Sequence, residues 1–291
     1  MLSPEVLKKV RHIQLKTRYL ANEIFSGEYE SAFRGRGMEF EEVREYTPGD
    51  DVRSIDWNVT ARMNRPFIKV YREEREMNVM LLVDLSASLN LGSRTRLKKE
   101  SVAELAALLA YAAAKSNDRV GLMLFTDKVE FYLPAKKGRG HIYRVIQEVL
   151  SRSSQGKKTN IESALEYFMR VMHRRSIVFV ISDFLDQNFE KALSITRRKH
   201  DVVCLKLFDP LEKSLPSMGY VYLTDPESGE SFWLQTQGKA FHNKYHAIAQ
   251  NWMEESQKVF RHSGVDHVLL DQSSDYMEPL LQFFRLREKR A

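Results

Sequence analysis

Asn78-Val79-Met80-Leu81-Leu82-Val83-Asp84-Leu85-Ser86-Ala87-Ser88 joins an unbroken apolar run to a polar turn. A strand covered on both faces reads as such a run, because neither side chain direction meets water. The switch to Asp-x-Ser-x-Ser then places a carboxylate and two hydroxyls where the strand ends. Downstream the alternation repeats. Residues 96–115 read as a helix with a broad apolar face, 120–125 as a strand, and 129–133 as a short strand closed by Pro134. Residues 141–151 and 161–173 read as helices, 177–181 as a buried strand, 189–198 as a helix and 202–208 as a strand. A polar hairpin pairs 221–223 with 231–234 across residues 225–229. A long helix over 239–262, a strand over 265–270 and a helix over 276–290 complete the chain. Strands that alternate with helices predict an α/β fold, a doubly wound and mostly parallel sheet covered by helices on both faces.

Upstream the pattern differs. Residues 4–25 read as one helix: Ser3 can cap it, Pro4 suits its first turn, and Val6, Val10, Ile13, Leu20 and Ile24 recur at helical spacing, with Gly27 as its stop. Between 33 and 76 the chain is mixed. Gly35 and Gly37 break it, Pro48-Gly49-Asp50 reads as a turn, and 67–71 as a short strand. The expected organisation is therefore a smaller N-terminal helix-plus-strand region over 1–76 and the α/β domain over 77–291.

Composition bounds the function. The chain has 291 residues, 43% hydrophobic and 29% charged, and a formal net charge of +6. These values suit a globular protein with a sizeable core. The positive excess is concentrated between residues 78 and 200, where it could steer an acidic partner. Cys204 is the single cysteine, so no intramolecular disulfide forms. It lies in an apolar run and reads as a core residue. The first twenty residues scatter charges where a signal peptide would be apolar, and no run approaches the ~18 apolar residues of a membrane span. The expectation is a cytoplasmic protein without a membrane span.

In open α/β sheets ligands bind at the carboxyl ends of the strands. Asp84, Ser86 and Ser88 follow the first strand, Asp183 follows the strand at 177–181, and Thr159 precedes the helix at 161. Two carboxylates and three hydroxyls form a hard oxygen set, which suits Mg²⁺ or Mn²⁺ rather than zinc. Hydroxyls are neutral ligands. They leave the cation residual charge and an open position that a partner's carboxylate can fill. Taken singly, each residue has a plainer reading: Asp84, Ser86 and Ser88 as a helix cap and turn, Thr159 as a cap of the helix at 161, Asp183 as a strand end.

The five residues, in this loop order, resemble the metal-ion-dependent adhesion site of von Willebrand factor A domains. The resemblance implies that Ser86, Ser88 and Thr159 contact the metal directly or through water, and that Asp84 and Asp183 act mainly through water. A second resemblance covers nearly the whole chain. Gly37-Met38-Glu39-Phe40, Arg44-Glu45-Tyr46, Gly49-Asp50-Asp51, Arg53, Ile55-Asp56-Trp57 and Ala61-Arg62 are similar to the signature of the bacterial "domain of unknown function 58" family. That resemblance implies a von Willebrand A-like domain after the signature, and an adaptor or chaperone-like role beside a MoxR-type AAA+ ATPase.

The first reading of function is thus a metal-dependent protein-interaction module whose partner, a MoxR-type ATPase or its client, offers a carboxylate. The alternative is a Mg²⁺-dependent phosphoester hydrolase, disfavoured because no nucleophile–base pair or P-loop can be assigned. Nucleic-acid binding by the basic middle is disfavoured too. The basic glycine stretches at 34–37 and 136–140 lack interleaved aromatics and read as solvated turns. His242 and His246 lie four apart but lack a third zinc ligand, and read as a solvated helix face. The Asp- and Arg-rich block from Gly49 to Arg62 reads as an ion-pair lattice that fixes the N-terminal region on the sheet.

Overall fold

The structure is a computed structural model that describes residues 4–21, 25–33, 38–73, 76–90, 97–156, 158–225, 227 and 229–290. Its centre is a six-stranded sheet of β3 (Asn78–Asp84), β4 (Arg119–Phe125), β5 (Val129–Lys136), β6 (Ser176–Ser182), β7 (Asp201–Phe208) and β10 (Asp266–Asp271). The order is β10-β7-β6-β3-β4-β5, with every pairing parallel except β4 with β5. The expected mixed α/β fold with a mostly parallel sheet is present.

Side-chain alternation assigns the two faces. Val79, Leu81 and Val83 enter one core with α4 (Lys98–Lys115), α5 (Arg139–Ser151) and α10 (Met277–Glu288). Met80 and Leu82 enter the other with α6 (Ile161–Val171), α7 (Glu190–Lys199) and α9 (Lys239–Ser263). Apolar side chains on both faces explain why β3 is apolar throughout.

Two helices lie outside the first layer. Of residues 4–25, expected as one helix, α1 (Pro4–Leu20) takes most, and α2 (Ser26–Phe33) follows. Gly27 sits inside α2 and stops nothing. The reason is tertiary: Phe25, Tyr29 and Phe33 recur at helical spacing and are buried, and all three rings pack on Phe284 of α10. That burial outweighs the cost of one glycine, about 1 kcal/mol. Val10 and Ile13 of α1 join the same core as the sheet. Ser3, Ile24, Gly35 and Gly37 lie outside the described residues.

Polar contacts fasten these layers. Tyr29 donates to Asp118 Oδ2 at 3.2 Å, whose Oδ1 accepts the Met77 N–H at 2.8 Å. Glu104 accepts from Lys16 at 2.9 Å and from the Tyr276 hydroxyl at 2.7 Å. The buried Arg287 guanidinium pairs with both Asp201 oxygens, donates to Asp266 Oδ2 at 2.7 Å and lies over the Phe33 ring at 4.5 Å.

β1 (Met38–Glu45) and β2 (Phe67–Glu73) form a separate antiparallel hairpin, with α3 (Trp57–Met63) between them. The strand at 67–71 was expected; β1 and α3 were not. Glutamates make β1 a poor strand by composition, and the ladder to β2 supplies its hydrogen bonds. The ion-pair lattice is real but its reach is a correction. Arg44 holds Asp50 at 2.7 Å and Lys69 meets Asp56 at 3.4 Å, so the described bonds stay within the hairpin and none reaches the central sheet. Trp57 stands 68% exposed.

β5 runs through Pro134 to Lys136, against the expected stop. It is an edge strand whose register slips between Val120 and Leu122, where a missing donor is tolerated. After β7 a short α8 (Pro210–Lys213), also unexpected, leads to the hairpin β8 (Tyr220–Thr224) and β9 (Ser231–Gln235).

Arg287→Met would remove the buried cation that Asp201 and Asp266 share. A loss of about 3–5 kcal/mol in urea-unfolding free energy is expected. Wild-type stability in this variant would show that the clamp contributes nothing.

Candidate functional site

The parallel register determines which loops meet. β3 lies between β4 and β6, with Val83 opposite Ile181 and Asp84 opposite Phe125. The turns leaving β3 and β6 are therefore neighbours at one rim of the sheet. Asp84 ends β3, Ser182 ends β6 and Asp183 follows it.

Asp84 is 1% exposed and its carboxylate is fully engaged. Oδ1 accepts the Ser86 N–H at 2.8 Å. Oδ2 accepts the Ser182 hydroxyl at 2.7 Å and the Thr159 hydroxyl at 3.3 Å. Ser86 and Ser88 are buried, with their hydroxyl oxygens 3.0 Å apart. Four of the five expected residues, Asp84, Ser86, Ser88 and Thr159, are thus joined from two separate loops. Asp183, the fifth, is buried and acts on Asp84 through its charge. Its own Oδ2 lies 3.4 Å from the Lys98 ammonium.

Backbone devices hold these loops. Phe184, next to Asp183, adopts φ 53°, a left-handed conformation costly for a bulky residue. Its N–H bonds Ser182 Oγ at 3.0 Å, and its ring packs on Phe260 at 4.9 Å. Packing thus maintains the strained turn that aims Asp183. The Thr159 loop is tied at three points. Glu130 Oε1 accepts the N–H groups of Gln155 and Gly156 at 2.8 and 2.9 Å, and the Asn160 N–H reaches Thr126 O at 2.9 Å. Asp186 Oδ2 accepts the Ile161 N–H at 2.7 Å, which couples this loop to the one after β6. A Cβ at position 156 would collide with Asp127 Oδ1 and Thr126 Oγ1, so only glycine fits there. Asn160, not Thr159, caps α6, through Ser163 N–H at 2.8 Å. The Thr159 hydroxyl is left for Asp84.

Burial pushes the Asp84 pKa up to about 7, and the Asp183 charge adds to the rise. The opposing cation is Lys98, at the start of α4 and 1% exposed, which contacts both Asp183 and Glu212. Burial works against its ammonium, but Asp183 and Glu212 outweigh it and hold its pKa above the usual lysine value. The rim therefore offers hard oxygens beside one ammonium that is shared with Glu212. Such a donor set fits a small divalent cation, whose charge would offset that of the two carboxylates.

Sequence reasoning missed Ser182, Lys98, Glu212, Glu130 and Asp186. Ser182 precedes Asp183 at the end of an apolar run, so its place was readable. Lys98 gave no signal: a lysine on the first turn of a helix reads as solvated. His242 meets Ser217 Oγ at 3.1 Å.

The family model described as "Protein of unknown function DUF58" matches residues 42–255. An uncharacterized protein of Mycobacterium bovis is 27% identical over 99% of this chain and 92% of its own length. Among solved structures, the conserved hypothetical protein BatB from Bacteroides thetaiotaomicron has a TM-score of 0.51 at 17% identity, covering 73% of this chain and 99% of that one. The SpRpn10 VWA domain gives a TM-score of 0.39 at 11% identity, covering 72% and 94%. The BatB likeness shows a shared fold. No described helix is long and apolar enough to cross a membrane.

A carboxyl whose folded pKa is raised stabilises the fold in its protonated state. That stability is full below the unfolded value of 3.8 and is lost as pH rises to about 7. In chelator, the thermal midpoint is expected to fall across this window, and Asp84→Asn to flatten the fall. An unchanged slope in Asp84→Asn would show that Asp84 does not carry it.

Proposed function

We propose that this chain, which belongs to the family described as "Protein of unknown function DUF58", is a protein-interaction module that grips an acidic group of its partner through Mg²⁺ or Mn²⁺. One observation carries the reading: the Thr159 hydroxyl touches the Asp84 carboxylate across 75 positions of chain, with the paired Ser86 and Ser88 hydroxyls next to it. A bound divalent cation would supply a Lewis-acidic position for a carboxylate oxygen. Ser86, Ser88 and Thr159 would hold it, with Asp84 and Asp183 acting through water.

The residues themselves perform the rest. Ser182 and the Ser86 N–H lock the Asp84 carboxylate, so the site is preorganised. Lys98 contacts both Asp183 and Glu212 and so lowers, without cancelling, the repulsion that a partner's carboxylate meets; a bound cation would remove the rest. The family resemblance supports a MoxR-type AAA+ ATPase or its client as that partner. Hydrolysis of a phosphoester is the second reading. It is less supported, because the Ser86 and Ser88 hydroxyls bond to each other and Asp84 already accepts three hydrogen bonds, so neither is poised as a nucleophile or base.

In a native-lysate pull-down, Mg²⁺ should retain the partner. EDTA or Asp84→Ala should lower retention by at least about tenfold, a loss of ~1.4 kcal/mol, with an unchanged circular dichroism spectrum. Equal retention in EDTA contradicts the binding role. Metal-dependent turnover of p-nitrophenyl phosphate that Asp84→Ala abolishes would favour the hydrolase.

A further inference from the structure

A cleft of 440 Å³ opens beside the rim. Ser88 lines it, so it is continuous with the site. One wall is apolar: Tyr245, Ile248, Trp252 and Met253 of α9 face it together with Phe208 of β7. Ile248 is 50% exposed, on the half of α9 that precedes its first buried residue, Ser256.

Lys206 of β7 also lines this cleft, opposite Ser182 in the parallel register. It is 3% exposed. Among the described residues its ammonium has no hydrogen bond and no carboxylate within the 4.0 Å of an ion pair. Asp183 and Glu212 act on it only through their fields; the nearby ammonium they contact is that of Lys98. Its side chain is buried while its ammonium meets the cleft, and burial pushes its pKa down to about 8. A cation on a cavity wall with no carboxylate in ion-pair reach can take an anion from outside.

We propose that the cleft receives a partner segment in which an acidic residue is flanked by apolar ones: the carboxylate pairs with Lys206 Nζ and the apolar side chains pack on the α9 wall. The mouth favours a peptide over a bare anion. Glu212 and Lys213 line it too, with Asp225 and Glu227 of the β8–β9 turn, so its carboxylates repel small anions while apolar contacts offset that repulsion. Continuity at Ser88 would let the same partner span cleft and rim. The inference does not rest on the metal reading, because no metal ligand is needed for the Lys206 contact.

The test uses the full chain in EDTA, with isothermal titration of two blocked peptides, acetyl-Leu-Asp-Phe-amide and acetyl-Leu-Asn-Phe-amide, and of free octanoate. The acidic peptide should bind at least about tenfold tighter than the amide. Lys206→Met should erase that preference, since it removes the cation and keeps the apolar stem. Trp252→Ala should weaken both peptides, and it keeps the test open if Lys206→Met does not fold. Equal binding of the two peptides overturns the proposal. So does a preference that survives Lys206→Met, or one that appears only with Mg²⁺, which would belong to the rim. Octanoate binding tighter than the acidic peptide also overturns it, in favour of a small carboxylate.

Discussion

Two carboxylates, Asp84 and Asp183, are buried within each other's field at the carboxyl ends of adjacent parallel strands. Like charges in a low-dielectric setting repel strongly. The fold answers with one ammonium, Lys98, which must also serve Glu212. Burial first, and that imbalance with it, raises the proton affinity of Asp84, and the imbalance suits the place to a divalent cation.

The sheet order creates the imbalance, and local strain preserves it. A doubly wound sheet brings the ends of β3 and β6 together by pairing alone. The Phe184 turn, the glycine at 156 and the ties from Glu130 and Asp186 then aim three loops at one spot. None of these supports reaches a ligand directly. They determine whether the oxygens converge. The second buried ammonium, Lys206, belongs to the same economy of charge. It stands on β7, one strand beyond β6, where the field of Asp183 and Glu212 reaches it but no ion pair does.

Much of this was legible from residue order, for a physical reason. Buried parallel strands must be apolar throughout, so β3, β6 and β7 stand out from the polar turns that end them. The site residues Asp84, Ser86, Ser88 and Asp183 sit in those turns and are readable by position. Thr159 was readable from its loop position too, although a threonine before a helix is normally its cap; here Asn160 takes that role. What stayed hidden depends on contacts distant in sequence. Gly27 signals a stop that packing of Phe25, Tyr29 and Phe33 on α10 overrides. Pro134 signals a strand end that an irregular sheet edge tolerates. Lys98 and Lys206 carry no mark of burial, since their environment is made by strands and helices far along the chain.

Anomalous diffraction from crystals of the full chain grown with Mn²⁺ tests the central claim most directly. A single strong peak is expected between the Ser86, Ser88 and Thr159 hydroxyls, at about 2.0–2.4 Å from at least two of them, with Lys98 still on Asp183. A rim without a peak at saturating Mn²⁺, or a peak held only by exposed carboxylates elsewhere, would contradict it.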